Sequence, residues 1–191
     1  MKLQSLKKKG KLAFTTKEAA RSGVSPQLLR HYLSKGLIEK SSHGVYRFAE
    51  PSSFASFEQL LLEALKAVPQ GVVGMKTALR LHGLTEELPE SIDLIVPRTN
   101  IPKRKLVDVK LHPSPTDCYR EDVLKIGAVP VTSIERTLVD LLRHGEPLSL
   151  AIRVYKEAQA KRKPVSLTKL KKLAATFRTK RKLAAFLEAI L

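Results

Sequence analysis

The chain of 191 residues has no tryptophan, one cysteine and few aromatic side chains, which make up 5% of it. A single cysteine, Cys118, excludes an internal disulfide and a zinc site built from several cysteines. Scarce aromatic side chains argue against a stacking platform for single-stranded nucleic acid. No apolar run approaches the roughly 20 residues that a membrane span needs, and the first residues lack the apolar core of a signal peptide. These absences predict a cytoplasmic protein that contacts no membrane and holds no metal or cofactor.

Acidic residues are also scarce, but only at the two ends of the chain. The formal net charge is +17, and residues 1–48 hold eleven Lys and Arg against two acids. Residues 161–191 hold ten Lys and Arg against one acid, whereas the 112 residues between are close to neutral. This segregation favours a phosphate polymer as partner, because each Lys or Arg that neutralises a phosphate releases condensed counterions.

Local signals near the N-terminus predict two helices joined by a tight turn. Thr15 is followed three residues later by Glu18, which is the spacing of a capping box, and the helix that begins there ends near Gly23. Ser25 and Pro26 then provide an N-cap and a first helical residue for a second helix. The pattern is typical of a helix-turn-helix.

Two short β-prone runs, residues 37–40 and 45–48, flank a turn that contains glycine and predict a hairpin. With the preceding helices, this hairpin predicts a winged helix-turn-helix DNA-binding domain over residues 1–50. A Pro-Ser-Ser linker at 51–53 leads to a larger domain over residues 54–191. The predicted fold class is α+β: an N-terminal winged helix-turn-helix followed by a mixed α/β domain that ends in helices.

Hydrophobic periodicity in the second domain predicts six helices and four short strands. The helices are expected at residues 57–68, 71–84, 133–143, 147–160, 166–175 and 180–190. The strands are expected at residues 91–96, 106–111, 123–126 and 129–131.

The second helix of a helix-turn-helix enters the major groove with its first turns. Arg forms paired hydrogen bonds with guanine and Gln forms them with adenine, so polar side chains at the start of this helix predict base contacts. The residues predicted to contact bases are Ser25, Gln27, Arg30 and His31. The residues predicted to contact phosphates are Thr15, Thr16, Lys17 and Lys35. The residues predicted to contact DNA from the wing are Ser41, Ser42, His43 and Arg47. The alternative is a winged helix used only for protein contacts.

The C-terminal region carries a second set of basic side chains. Its members are Lys161, Arg162, Lys163, Lys169, Lys171, Lys172, Arg178, Lys180, Arg181 and Lys182. They are expected to extend the DNA path, to dock an acidic or RNA-bound partner, or to form a solvated helix face.

One alternative function is a metal-dependent nuclease. Asp93 in one predicted strand and the pair Asp108 and Lys110 in the next resemble an arrangement in which two carboxylates hold Mg²⁺ and a lysine polarises water. A solvated strand face explains Asp108 and Lys110 equally well, because residues two apart share one face of a strand. The histidines show no metal-ligand spacing, and there is no glycine-rich phosphate loop.

Five segments of the chain resemble AbiEi-type antitoxins, the transcriptional regulators of abortive-infection AbiE toxin–antitoxin systems. The segments are FTTKEAARSGVS at 14–25, LRHYLSKGLIEK at 29–40, GVYRF at 44–48, ALRLHGL at 78–84 and PVTSIERTLVDLL at 130–142. The first three match the family's winged helix, and the last two match its second domain.

The resemblance implies a bacterial repressor that binds inverted repeats at its own promoter and takes part in phage defence. It also implies a non-enzymatic antitoxin of type IV, which opposes a nucleotidyltransferase-like toxin without a stable complex. One winged helix reads only a few base pairs, so a dimer or a cooperative pair on DNA is expected. Glu135, Arg136 and Asp140 are expected to form local ion pairs and caps.

Overall fold

A computed structural model describes residues 13–49, 57–103 and 106–190. The linker predicted at 51–53 lies outside the described residues. The chain forms two compact units. The first comprises Met1–Gln70 and Pro102–Val109, and the second comprises Gly71–Ile101 and Lys110–Leu191.

The first unit contains a three-stranded antiparallel sheet in the order β1-β3-β2. Its described elements are β1 (Ala13–Thr15), α1 (Thr16–Arg21), α2 (Pro26–Ser34), β2 (Ile38–Ser42), β3 (Val45–Phe48) and α3 (Phe57–Ala67). The order confirms the predicted winged helix-turn-helix. Helix α3 contacts β1 and β3, so it packs within this unit.

Capping residues set the helix boundaries of the first unit, as the sequence predicts. Thr15 and Glu18 form the reciprocal capping box of α1, and the Ser25 hydroxyl accepts from the backbone N–H of Leu28 at 3.2 Å at the start of α2. Between the helices, Gly23 has φ +76°, a left-handed conformation that glycine adopts without a Cβ clash. Local chemistry therefore fixes the angle at which α2 leaves α1.

The second unit is built on a five-stranded sheet in the order β6-β5-β4-β8-β7. Its strands are β4 (Val72–Val73), β5 (Ile92–Pro97), β6 (Val109–Ser114), β7 (Val123–Ile126) and β8 (Val129–Thr132). Its helices are α4 (Met75–Leu81), α5 (Ile134–Arg143), α6 (Leu148–Ala160), α7 (Leu167–Thr176) and α8 (Lys180–Ile190). The mixed α/β domain that ends in helices is thereby confirmed. Among the residues that the structure describes, no helix has the length and apolarity to cross a membrane.

Two predicted elements of the second domain begin later than the sequence predicts. The helix expected at 71–84 begins only at Met75, because Val72 and Val73 pair with β5 and Val73 also pairs with β8, in the middle of the sheet. The strand expected at 106–111 begins only at Val109, because Asp108 lies in a turn with φ +54°. Asp108 and Lys110 therefore do not share a strand face.

A buried guanidinium lies at the centre of the second unit. The side chains of Arg136 and Asp140 are both 0% exposed, and Nε of Arg136 donates to Oδ2 of Asp140 at 2.8 Å. The guanidinium also donates to the carbonyl of Glu121 at 2.8 Å and to the Ser114 hydroxyl at 3.3 Å, and it lies 3.6 Å from the ring centroid of Phe177. The predicted structural role of this stretch is confirmed: one side chain joins β6, α5, the loop before β7 and the end of α7.

A half-buried polar group, His144, follows the helix that carries this network. His144 caps the C-terminus of α5, and burial, reinforced by the positive charges of His112 and Arg143, lowers its pKa to about 4. In the unfolded chain the pKa of His144 is 6.5, so the fold favours the neutral form of the ring. His144 therefore contributes stability above pH 6.5, and this contribution is lost as the pH falls toward 4.

Replacing Arg136 tests how much the second unit depends on this network. We expect Arg136→Ala to lower the free energy of unfolding by about 3–5 kcal/mol, because Asp140 is left buried without its counter-charge. Arg153, which pairs with Glu87 at 3.6 Å on the exposed surface, is the matched control. Arg153→Ala should change the free energy by less than about 1 kcal/mol. Urea unfolding followed by circular dichroism measures both, and a loss below 1 kcal/mol in Arg136→Ala would contradict the assignment.

Candidate nucleic-acid interface

The inner face of α2 anchors the helix to the first unit. Leu29 is buried, and Leu28, Tyr32 and Leu33 pack against the same core cluster. These four residues recur at helical spacing, which places them on one side of the helix. The polar residues of α2 are consequently directed away from the core.

The outer face of α2 is exposed and carries no acidic residue. Gln27, Arg30, His31 and Lys35 are all exposed, and α2 contains no Asp or Glu. The rise of 1.5 Å per residue spreads these side chains over about 12 Å of the helix axis. The major groove is about 12 Å wide and admits one helix, so this face has the size and charge that groove entry needs.

Both acids of the described N-terminal segment, Glu18 and Glu39, are neutralised away from that face. Glu18 accepts from the backbone N–H of Thr15 at 2.7 Å and lies 3.7 Å from Nζ of Lys66. Glu39 accepts from Nε and Nη2 of Arg47 at 2.9 and 2.8 Å across the β2–β3 ladder. The pairing leaves α2 as one cationic surface among the described residues of the unit, while Arg47, predicted to contact DNA, is engaged by a carboxylate.

The start of α1 uses much of its hydrogen-bonding capacity inside the protein. The Thr15 hydroxyl accepts from the backbone N–H of Glu18 at 3.2 Å, and the backbone N–H of Thr16 donates to the Gly44 carbonyl at 2.9 Å. The Thr16 hydroxyl donates to the same carbonyl at 3.3 Å. Of the predicted phosphate contacts here, Thr16 and Lys17 are exposed, and Thr15 is half-buried.

The wing residues differ in their surroundings. The Ser41 hydroxyl donates to the carboxylate of Glu63 on α3. The Ser42 hydroxyl oxygen is buried and has no hydrogen-bond partner among the described residues. His43 is exposed beside Gly44, whose φ of +74° closes the hairpin. The exposed tip at His43 is the part of the wing best placed for an external contact.

The C-terminal basic set divides into two groups of five. One group bonds inside the second unit: Lys161 with Glu157, Lys163 with the His82 carbonyl, Lys169 with Asp122 and Glu135, Lys172 with Glu121, and Lys182 with the Arg143 carbonyl. The other group is exposed and makes no ion pair with described residues: Arg162, Lys171, Arg178, Lys180 and Arg181. Within the first group, carboxylates pair Lys161, Lys169 and Lys172, and the second group has no such partner among the described residues.

The residues of the nuclease alternative have other roles. Asp93 is buried; it accepts from Nε2 of His112 at 2.8 Å and from the Thr77 hydroxyl at 3.3 Å. Asp108 and Lys110 are exposed, in a turn and at an edge strand respectively. Within residues 13–49, 57–103 and 106–190, no three His, Cys, Asp or Glu side chains are grouped to hold a metal ion. The geometry gives this alternative no support.

His82, in a segment that resembles the antitoxin family, is a core group. Its Nε2 lies 2.7 Å from the carbonyl of Thr132, which only accepts, so this nitrogen carries the proton. Burial lowers the pKa of His82 below its usual value, and the ring is neutral at pH 7.

Sequence reasoning missed three residues that hold this surface in place, namely Glu39, Glu63 and Lys66. The sequence carries one signal for Glu63, which interrupts the apolar stripe of α3 three residues after Leu60. An acid within such a stripe indicates a buried polar contact. Its partner, 22 positions away at Ser41, has no sequence signal.

A helix-turn-helix followed by a hairpin wing is the architecture that defines winged-helix proteins. This chain has that architecture, and its second helix carries an acid-free cationic face. Within this class, residues 1–49 match a family model described as "Transcriptional regulator, AbiEi antitoxin". The match confirms the resemblance to AbiEi antitoxins in the N-terminal part of the chain.

Comparison with solved structures extends the likeness of fold to almost the whole chain. The crystal structure of the RV2827C protein from Mycobacterium tuberculosis superposes with a TM-score of 0.72. The alignment covers 97% of this chain and 74% of that chain at 14% sequence identity, which establishes similarity of fold alone. The comparison with curated proteins gives no match.

Removing the Thr15 hydroxyl separates a structural role from a DNA contact. We expect Thr15→Ala to lower the free energy of unfolding by about 1 kcal/mol, because an N-cap of α1 is lost. Thr168→Ala, at an exposed position of α7, should change it by less than about 0.5 kcal/mol. Urea titration measures both variants. Unchanged stability in Thr15→Ala would show that the cap is dispensable and leave the predicted phosphate contact as the role of Thr15.

Proposed function

We propose that the chain is a DNA-binding transcriptional repressor and the antitoxin of a type IV toxin–antitoxin system. The first unit binds inverted repeats at the chain's own promoter, and the second unit opposes a nucleotidyltransferase-like toxin without a stable complex. The system acts in the cytoplasm, in abortive infection as a phage defence. The observation that carries the proposal is the exposed, acid-free outer face of α2, and the family match over residues 1–49 supports it.

The outer face of α2 offers both kinds of contact that operator recognition needs. Gln27, Arg30 and His31 lie in the part of the helix that enters the major groove, where amide and guanidinium groups distinguish adenine and guanine. Lys35, at the far end, meets phosphate and sets the register. Such a helix reads only a few base pairs, so the repressor binds as a dimer or as a cooperative pair on an inverted repeat.

Arg30 provides the first test of operator recognition. We expect Arg30→Ala to weaken binding to a duplex spanning the chain's own promoter by about 1–3 kcal/mol, because a bidentate base contact is lost. Binding to a shuffled duplex of the same composition should change much less. Fluorescence anisotropy titrations of both duplexes give the two affinities.

The charge-matched control for Arg30→Ala is Arg153→Ala, which removes one exposed arginine far along the chain on α6. It should leave the preference for the promoter duplex at the wild-type value. Equal losses on both duplexes in Arg30→Ala would make Arg30 a phosphate contact. A wild-type protein that binds promoter and shuffled DNA alike would contradict the repressor proposal.

The unpaired C-terminal cations extend the same DNA path in our proposal. Lys180 and Arg181 occupy the exposed first turn of α8, whereas Lys169 and Lys172 face acids of their own unit. Electrostatic attraction to the duplex therefore falls mainly to the unpaired group.

Two double variants, each of which removes two positive charges, test this difference between the unpaired and the paired C-terminal cations. Lys180→Ala with Arg181→Ala should reduce the slope of log K against log salt concentration by about 2, since each lost phosphate contact accounts for about 0.9. Lys169→Ala with Lys172→Ala should leave the slope unchanged and lower stability instead. Identical slopes for both variants and the wild type would remove the C-terminal set from the DNA path and assign it to a protein or RNA partner.

A further inference from the structure

Helix α3 reaches both outer strands of the wing sheet. In the order β1-β3-β2, the strands β1 and β2 are the edges. The Lys66 ammonium donates to the carbonyl of Ala13 in β1, and the Glu63 carboxylate accepts from the hydroxyl of Ser41 in β2. These two residues of α3 therefore bridge the full width of the sheet.

The contact with β2 depends on a local irregularity of the strand. The β2–β3 register shifts between Lys40 and Ser42, so the residue between them is an extra residue in the ladder. Bulges of this kind redirect a side chain. Here the redirected hydroxyl of Ser41 meets the carboxylate of Glu63, which also accepts from the Gln59 amide at 3.3 Å.

Glu63 is an unusual group for the buried side of a helix, because it is only 4% exposed. A buried carboxylate destabilises a fold unless hydrogen bonds compensate its lost hydration. The Ser41 and Gln59 donors supply such bonds. Removing the Ser41 hydroxyl leaves Glu63 with the Gln59 donor alone, and the bond that ties β2 to α3 is lost.

We propose that Glu63 and Ser41 are positioning residues that hold the wing at the angle to α2 that duplex binding requires. This inference rests on the proposed DNA-binding function. It reassigns Ser41, since its hydroxyl serves the protein and not the phosphate backbone. The exposed wing tip at His43, anchored on its other side by the bond from Thr16 to Gly44, then takes the external contact.

The sign of the charge change makes the proposal testable. Removing an acid from a DNA-binding surface strengthens attraction to phosphate, so electrostatics alone predicts tighter binding in Glu63→Ala. Loss of the wing anchor predicts weaker binding. The same helix supplies a control in Glu58, which is exposed on the first turn of α3 and has no partner among the described residues.

The experiment measures affinity of the full chain for the promoter duplex by anisotropy, with salt titration. We expect Glu63→Ala and Ser41→Ala each to weaken binding about tenfold, the scale of one hydrogen bond to a charged group. The salt slope should stay at the wild-type value, because no phosphate contact is lost. Glu63→Gln keeps an acceptor oxygen for the Ser41 hydroxyl and should bind within about twofold of the wild type. Glu58→Ala should bind as well as the wild type or better.

A double variant and an exchange measurement exclude a purely structural role. Ser41→Ala combined with Glu63→Ala should bind no more weakly than Glu63→Ala alone, because one interaction is removed in all three proteins. Amide hydrogen exchange should accelerate in residues 40–45 and stay slow in α2. If Glu63→Ala does not fold, Ser41→Ala, which removes one hydroxyl, decides the question.

Three results overturn the inference. They are unchanged or tighter binding in Ser41→Ala, a salt slope lowered by about 1 in that variant, and a Glu63→Gln variant as weak as Glu63→Ala. If the wild type binds the promoter duplex and Arg30→Ala loses its preference while these variants bind normally, only the positioning role fails. A wild type without DNA affinity overturns the repressor proposal and this inference together.

Discussion

The second unit depends on one buried cation. Placing a guanidinium where water does not reach is costly unless its N–H groups find acceptors, and Arg136 finds them in Asp140, the Glu121 carbonyl and Ser114, while its plane covers Phe177. Because these partners come from a strand, a loop and two helices, the network specifies one arrangement of elements that leucines alone would not select. The first unit has no comparable centre among its described residues; its small core of apolar side chains is supplemented by bonds from α3 to the edges of the wing sheet.

Whether a structural element could be predicted depended on how far apart along the sequence the interacting residues lie. Helix starts at Thr15, Ser25 and Ser133 were predictable, since a cap is a contact between residues three apart. The two-residue strand Val72–Val73 was not, because only its pairing with β5 and β8 distinguishes it from the first turn of a helix. The tight contact between Gly74 and Ile95, where an added Cβ would lie 2.6 Å from Cγ1, is likewise invisible in the sequence.

The candidate interface shows the same limit. The polar face of α2 was predictable because it follows from helical periodicity around Leu29. The engagement of Arg47 by Glu39 and of Ser41 by Glu63 was not, because each pair forms between separate elements. The sequence shows that the C-terminal region is rich in basic side chains. Only the structure distinguishes a lysine that pairs with an acid of its own unit, such as Lys169, from one that faces solvent, such as Lys180.

The separation of anchoring from recognition within α2 has an evolutionary consequence. Leu28, Leu29, Tyr32 and Leu33 hold the helix, whereas the opposite side makes no contact on which the core depends. Most substitutions on that side therefore cost little folding stability, so that diverging lineages can acquire new target sequences on an unchanged scaffold. In engineering terms, the exposed positions Gln27, Arg30 and His31 form an exchangeable set on an otherwise fixed helix.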